Sequence, residues 1–127
     1  MKSIIYTENA PEPIGPYSQA VLAGNMLFIS GQIPIDPTSN QLIIGSIADE
    51  ARQVMKNLDA LLKSSGFLFE DVVKTTIFLS NMNHFAEVNE VYGSYFSANF
   101  PARETVAVLG LPKNVNVEIS LIAVKAL

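Results

Sequence analysis

Residues 117–124, VEISLIAV, predict a β-strand that carries apolar side chains on both faces. Successive side chains of a strand point to opposite faces of the sheet. One face of this strand carries Val117, Ile119, Leu121 and Ala123, and the other carries Glu118, Ser120, Ile122 and Val124. Strands that are apolar on both faces are typical of sheets covered on both sides. We therefore expect this strand to lie in a sheet buried between two layers.

The rest of the chain predicts further strands and two helices. The predicted elements are a hairpin at 19–31 that turns at Gly24-Asn25, a helix at 46–66, a strand at 71–80, a helix at 82–100, and closing strands at 102–111 and 115–127. Residues 32–45 predict a loop, because Pro34 and Pro37 are incompatible with a central strand. The connection at 111–116 allows an antiparallel pairing of the last two strands, which the sequence leaves open.

This order of elements predicts an α/β fold, an α+β sandwich with one mixed sheet and two helices on one face. Residues 1–127 are expected to form a single domain. Two helices cover one side of the sheet only, and charged residues make up 16% of the chain, below the usual share of about 25%. We therefore expect the other side to pack against copies of the chain in an obligate homo-oligomer.

Composition excludes several classes of site. The net charge of −4 argues against a nucleic-acid partner, which usually requires a basic surface. Without cysteine there is no disulfide, thiolate nucleophile or Cys-based zinc site, and the single histidine, His84, cannot form a multi-histidine metal site. No metal is expected. The N-terminal residues lack the apolar core of a signal peptide, and no apolar run is long enough to predict a membrane span. A soluble cytoplasmic protein is expected.

Arg103 and Glu118 are the leading candidates for chemistry. Arg103 stands at the head of a predicted strand, where a guanidinium could hold a carboxylate through two parallel hydrogen bonds. The alternatives are an ion pair with Glu104 or Glu118, or a strand-end side chain with its head in water, and the residue by itself favours these. Glu118 could orient a water molecule or transfer a proton. It could instead face solvent or pair with Arg103.

Three further polar residues lie in apolar surroundings. Tyr17 lies in the proline-rich loop at 8–18 and could close over a site or simply pack. Ser30 ends a predicted strand and could bind a ligand or serve as an ordinary strand end. Asn89 lies on the second predicted helix, either functional or merely exposed.

Four segments in matching order resemble one known family. They are IGPYSQAV (14–21), ISGQIPIDP (29–37), VVKTTIFLSNMNHFAEVNEVY (72–92), and FPARETVAVLGLP with VEISLIAV (100–124). Together they span nearly the whole chain and resemble the RidA family, also called YjgF/YER057c/UK114. The resemblance implies a chorismate-mutase-like fold and a homotrimer with ligand clefts between subunits.

The resemblance also implies an activity. RidA proteins hydrolyse 2-imino acids and their enamine tautomers, chiefly 2-aminoacrylate, to 2-keto acids and ammonia, without a cofactor. The chain is therefore expected to be a 2-iminobutanoate/2-iminopropanoate deaminase whose partners are small 2-imino and 2-keto acids. Two alternatives remain open within the family: an endoribonuclease, and a non-catalytic regulatory protein that binds keto acids.

Matching the family's motifs residue by residue assigns roles to these candidates. Arg103 corresponds to the arginine that binds the substrate carboxylate, and Glu118 to the glutamate that positions or activates water. Four further positions, Tyr17, Ser30, Gly31 and Asn89, correspond to residues around the ligand. Many relatives carry a cysteine where this chain has Thr105, which leaves the backbone carbonyl of residue 105 for substrate binding.

Overall fold

The computed structural model describes residues 1–126. It has eight strands and two α-helices: β1 (Lys2–Ile5), β2 (Ala20–Ala23), β3 (Met26–Gln32), β4 (Ile35–Asp36), β5 (Gln41–Leu42), α1 (Ile47–Ser64), β6 (Val72–Leu79), α2 (Phe85–Gly93), β7 (Ala102–Ala107) and β8 (Val117–Val124). Short 3₁₀ turns lie at Phe69–Asp71, Met82–His84 and Pro112–Asn114. Within residues 1–126, no helix is both long and apolar enough to cross a lipid bilayer.

Six of the strands form one mixed sheet in the order β1-β2-β3-β8-β6-β7. Only β6 and β7 pair in parallel; the other neighbours are antiparallel. The antiparallel pairing of the last two strands, which the sequence left open, is wrong because β6 lies between β7 and β8. Helix α2 connects β6 to β7 as a crossover, and a crossover returns the chain to the same end of the sheet, where the next strand runs parallel.

Both helices lie on one face of this sheet, as predicted. The apolar residues Leu58, Leu61 and Leu62 of α1 are fully buried in the same core as Ile119 of β8. From α2, the Tyr92 hydroxyl contacts Thr75 of β6. Ser46 caps the N-terminus of α1 by accepting a hydrogen bond from the Asp49 amide.

Within residues 1–126, no α-helix covers the opposite face of the sheet, which we call the open face. Its apolar residues include Ile4, Val21, Phe28 and Ile122, which follow one another across β1, β2, β3 and β8 by strand register. Val106 of β7, which pairs with Phe78 of β6, lies on the same face. Ile4 is 57% exposed, Phe28 39% and Val106 41%. The second apolar face predicted from residues 117–124 is therefore uncovered in a single chain.

The second predicted helix is shorter than expected. It begins at Phe85 rather than residue 82 and ends at Gly93 rather than residue 100. Beyond it, the Tyr95 and Phe96 amides bond to carbonyls three residues back, which tightens the backbone out of α-helical geometry. The rings of Tyr95 and Phe96 then pack on Phe69, at centroid distances of 5.4 Å each. Tertiary packing of these aromatic rings overrides the helical periodicity.

Three other predicted boundaries also change. The segment 32–45, which was expected to be a loop, contains the small hairpin of β4 and β5. Pro34 and Pro37 lie outside both strands, as their residue type requires. Strand β7 ends at Ala107, so the prediction of a buried strand that reaches residue 111 is wrong. Leu109 lies past the C-terminal end of β7 and is fully exposed. Strand β8 covers 117–124 of the predicted 115–127, and Leu127 lies outside the described residues.

Candidate active site

Arg103 is held against helix α2 by one hydrogen bond and two aromatic rings. It pairs with Thr75 in the sheet and therefore points to the face that the helices cover. Its Nη1 donates to Oδ1 of Asn89 at 2.6 Å. Its guanidinium carbon lies 5.0 Å from the centroid of Tyr92 and 5.6 Å from that of Phe85, both within cation–π range. These contacts orient a guanidinium that would otherwise move freely.

Tyr92, one of the residues that hold Arg103, is itself fixed by a hydrogen bond in the core. The hydroxyl oxygens of Tyr92 and Thr75 lie 2.7 Å apart in the buried core. Burial raises the pKa of Tyr92, although the hydrogen bond to Thr75 and the positive charge of Arg103 lower it. The neutral phenol therefore stays in place beneath the guanidinium.

Within residues 1–126, no acidic side chain forms an ion pair with Arg103. Glu104 pairs instead with Lys74, at 3.1 Å. The ion-pair interpretation of Arg103 is therefore wrong, and further N–H donors of its guanidinium are available to a ligand. A cavity of about 510 Å³ opens beside it, lined by Asn89, Tyr92, Gly93, Phe100, Pro101 and Arg103.

A second group of candidate residues lines a different cavity. Its volume is about 350 Å³, and its lining residues are Ile14, Tyr17, Ser30, Gly31, Ile33, Pro112 and Glu118. The cavity combines apolar walls with the carboxylate of Glu118 and the hydroxyls of Tyr17 and Ser30. This composition is typical of a small-molecule site. Four of the residues predicted from the sequence meet here.

Glu118 lies directly over the backbone of Gly31. A methyl group on Gly31 would overlap Oε2 of Glu118, so the carboxylate keeps this position only while residue 31 is glycine. The register between β3 and β8 shifts between Ile29 and Gln32, and this irregularity places Gly31 beneath Glu118. Burial raises the pKa of the Glu118 carboxyl above its usual value. Such a group is suited to proton transfer nearer neutral pH.

Ser30, in β3, anchors the proline-rich loop that carries Tyr17. The Ser30 hydroxyl donates to the Ser18 carbonyl at 2.6 Å, which holds the loop against β3. The Ile14 amide donates to the Tyr17 hydroxyl at 3.3 Å, and Tyr17 remains 48% exposed at the rim of the cavity. Tyr17 can therefore meet a ligand, while the hydroxyl of Ser30 already has an acceptor.

Thr105 lies on the Arg103 side of β7 but lines neither cavity. It follows Arg103 by two positions, so both side chains share a face. Its Oγ1 is buried and makes no hydrogen bond within the part of the chain that the structure describes.

The two groups of candidate residues lie on opposite faces of the sheet. Arg103 pairs with Thr75 of β6, and Glu118 pairs with Phe78 of the same strand. Positions 75 and 78 are an odd number of residues apart, so the side chains in register with them point in opposite directions. One chain therefore brings Glu118, Gly31, Ser30 and Tyr17 together, and brings Asn89 to Arg103, but it does not join the two groups.

Three residues that support the site were not predicted as site residues from the sequence. Tyr92 and Phe85 lie in the second predicted helix, where aromatic side chains indicate packing in the core, yet they flank Arg103. Gln19, which is buried, bonds to the backbone of Thr7, Ala10 and Pro11 and so anchors the proline-rich loop. A polar residue directly before an apolar run was the available signal for Gln19.

The described residues contain no cluster of three or more His, Cys, Asp or Glu side chains that could hold a metal ion. The arrangement instead offers one oriented cation and, in a separate cavity, one carboxylate of raised pKa. The cation can hold an anionic ligand, and the carboxylate can exchange a proton with water or substrate.

Comparison with known proteins identifies the family. Residues 7–125 match the family described as Endoribonuclease L-PSP. A RutC family protein of Pyrococcus horikoshii is 54% identical, covering 98% of this chain and 99% of the relative. The human 2-iminobutanoate/2-iminopropanoate deaminase is 48% identical over 98% of this chain and 91% of its own.

A solved structure has the same fold. A protein of unknown function from the conserved Rid family of Yersinia pestis superposes with a TM-score of 0.96 at 48% identity, covering 98% of this chain and 100% of the other. Sequence and fold agree along nearly the whole length, including the mixed sheet and both helices. The chain therefore belongs to the RidA (YjgF/YER057c/UK114) family.

Proposed function

We propose that this protein is a 2-iminobutanoate/2-iminopropanoate deaminase, which hydrolyses reactive 2-imino acids and their enamine tautomers to 2-keto acids and ammonia. The observation that carries the proposal is the oriented guanidinium of Arg103, without an acidic partner in residues 1–126, beside a cavity of about 510 Å³. Such a group favours a small carboxylate ligand. The name of the human relative supplies the class of substrate.

We infer that the complete site is formed by two copies of the chain. Arg103 and Glu118 of one chain point away from each other, so a substrate held by Arg103 can meet only the Glu118 of another copy. The exposed apolar open face, with Phe28 and Val106, supplies a surface that such an assembly would bury. A closed ring of three chains, the homotrimer expected for the family, repeats this site at each interface.

The chemistry follows from this arrangement. Arg103 holds the carboxylate of 2-aminoacrylate and so orients the adjacent carbon. Protonation of the terminal carbon converts the enamine into the imine. Water then adds to the C=N carbon, and the resulting carbinolamine loses ammonia and leaves pyruvate. In total, one water is consumed and one ammonia released for each keto acid formed.

Glu118 is the group proposed to manage the protons. Its carboxylate can accept a proton from the attacking water, and its protonated form, favoured by the raised pKa, can return one to the departing amine. The backbone carbonyl of Thr105 is proposed to accept a hydrogen bond from water or from the substrate amine. Tyr17, Ser30 and Gly31 would enclose the reacting end of the substrate.

The proposal is tested by measuring keto-acid release from enzymatically generated 2-aminoacrylate. We expect Arg103→Ala to lose most of the acceleration, mainly through a higher KM, and Glu118→Gln to lower kcat. Arg52→Ala is the matched control, because Arg52 is an exposed arginine that pairs only with Asp49 on the surface of α1. Undiminished acceleration by Arg103→Ala would refute the assignment of the arginine.

The same assay separates the alternatives that the family leaves open. Tight binding of pyruvate or 2-ketobutyrate without imine turnover would indicate a regulatory protein. An endoribonuclease would cleave RNA in a manner sensitive to salt. Three of the eight basic residues, Arg52, Lys63 and Lys74, are paired with acidic neighbours, which weakens the case for an RNA surface.

A further inference from the structure

Glu50, in the first turn of α1, has a buried carboxylate that binds Asn116, the residue directly before β8. It is only 7% exposed. Its Oε1 accepts a hydrogen bond from the backbone amide of Asn116 at 2.9 Å, and its Oε2 accepts one from Nδ2 of Asn116 at 2.7 Å. Helix α1 thus holds both the main chain and the side chain of Asn116.

Asn116 is also tied to the end of β6. Its Oδ1 accepts a hydrogen bond from the Ser80 hydroxyl at 2.6 Å, and its carbonyl accepts one from the Ser80 amide at 3.0 Å. All four polar groups of Asn116 are therefore engaged. This makes Asn116 the fixed point at which the chain enters β8.

Glu50 is held by hydrogen-bond donors and not by a cation. None of the ion pairs among residues 1–126 includes Glu50, so its carboxylate is matched by N–H donors rather than by a cation. Its place at the helix N-terminus favours a negative group. A buried carboxylate nevertheless carries a desolvation cost, which the two hydrogen bonds from Asn116 offset. What the carboxylate adds is a fixed position for Asn116.

The segment fixed in this way carries part of the Glu118 cavity. Glu118 follows Asn116 by two residues, which is about 6.6 Å of extended strand. Pro112, four residues before Asn116, is in the wall of the same cavity. We propose that the Glu50–Asn116 pair is a positioning device for the reaction, which holds Glu118 at its working place over Gly31. This inference rests on the proposed function.

Asn116→Asp tests the pair directly, because it sets a second carboxylate against that of Glu50. The double variant Glu50→Gln with Asn116→Asp restores the match. The glutamine oxygen then accepts from the backbone amide of residue 116, and its amino group donates to the new carboxylate, whose other oxygen still accepts from Ser80. Asp49→Asn is the control, since it neutralises an exposed carboxylate in the same helical turn without touching Asn116.

Steady-state imine hydrolysis and amide hydrogen exchange are measured on all variants. We expect Asn116→Asp to lower kcat by about ten- to a hundredfold, with KM nearly unchanged because Arg103 binds the carboxylate on the other face. Amides at 116–118 should exchange faster. The double variant should recover both properties, and Asp49→Asn should resemble wild type.

The outcomes separate the inference from the function it rests on. A folded Asn116→Asp variant with wild-type kcat, or a double variant without recovery, overturns the positioning role. If Asn116→Asp does not fold, Ser80→Ala, which removes one support of Asn116, should give a smaller loss of kcat; no loss overturns the role. Wild-type protein without imine turnover refutes the proposed function, and hydrogen exchange then still shows whether Glu50 holds Asn116.

Discussion

Arg103 and Glu118 lie on opposite faces of one sheet, because their partners on β6, Thr75 and Phe78, are three residues apart. An active site that uses both groups therefore needs two chains. Two inactive variants should then complement each other. Each chain of Arg103→Ala keeps its Glu118, and each chain of Glu118→Gln keeps its Arg103.

When these two variants are unfolded and refolded together in equal amounts, random association should give about a quarter of the sites both intact groups. We expect imine hydrolysis near that fraction of wild-type activity. Each variant refolded alone is the control. Activity that stays at the mean of the two separate variants would show that one chain supplies both residues.

Tyr92→Phe should destabilise the fold by about 1–3 kcal/mol, because it leaves the buried Thr75 hydroxyl without its partner. The ring that contacts Arg103 is retained, so the KM for the imino acid should change little. Adding Thr75→Val removes both polar groups, and the double variant should be more stable than Tyr92→Phe alone. Urea unfolding of wild type, Tyr92→Phe, Thr75→Val and the double variant measures the four free energies. Additive losses would mean that the two hydroxyls do not interact.

Gly31→Ala should abolish most of the imine hydrolysis while leaving the chain folded. The new methyl group would occupy the position of the Glu118 carboxylate, which must swing away. Gly110→Ala is the matched control, since a methyl group there meets no atom within 4 Å. Steady-state kinetics with circular dichroism measure the effect. Wild-type kcat in Gly31→Ala would show that the position of Glu118 over Gly31 does not matter for the reaction.

Thr105→Val should stabilise the protein by on the order of 1 kcal/mol, because valine removes a buried hydroxyl that has no partner in residues 1–126. Imine hydrolysis should persist, since the proposed contact at this residue is the backbone carbonyl, which valine keeps. Thermal unfolding measures the change in stability, and steady-state kinetics measure kcat and KM for the imino acid. A large rise in KM would assign the hydroxyl itself to substrate binding.

The raised pKa of Glu118 predicts how stability depends on pH. Between the usual glutamate value of 4.5 and the raised value, the folded state binds more protons than the unfolded state. Stability due to this group therefore falls as pH rises through that window. Glutamine does not titrate, so Glu118→Gln does not lose this contribution. The free energy of unfolding of the variant minus that of wild type should therefore increase from acid to neutral pH. A constant difference would indicate an ordinary pKa.

Local pattern was enough to predict most elements of the fold. The alternation in 117–124 predicted β8, and the spacing of apolar residues predicted α1. The end of α2 was not predictable in this way. Tyr95 and Phe96 fit a continued helix by spacing, although Gly93 weakens it, but their contacts with Phe69 decide the path of the chain.

The sequence by itself determined which residue types are available for chemistry, because absent cysteine and a single histidine are facts of composition. It also determined that β8 has two apolar faces, since alternation depends only on neighbours in the chain. Only the tertiary structure decided that Asn89 and Tyr92 hold Arg103, and that Gly31 lies beneath Glu118. These contacts join residues far apart in sequence, and they depend on strand order and register, which local periodicity does not encode.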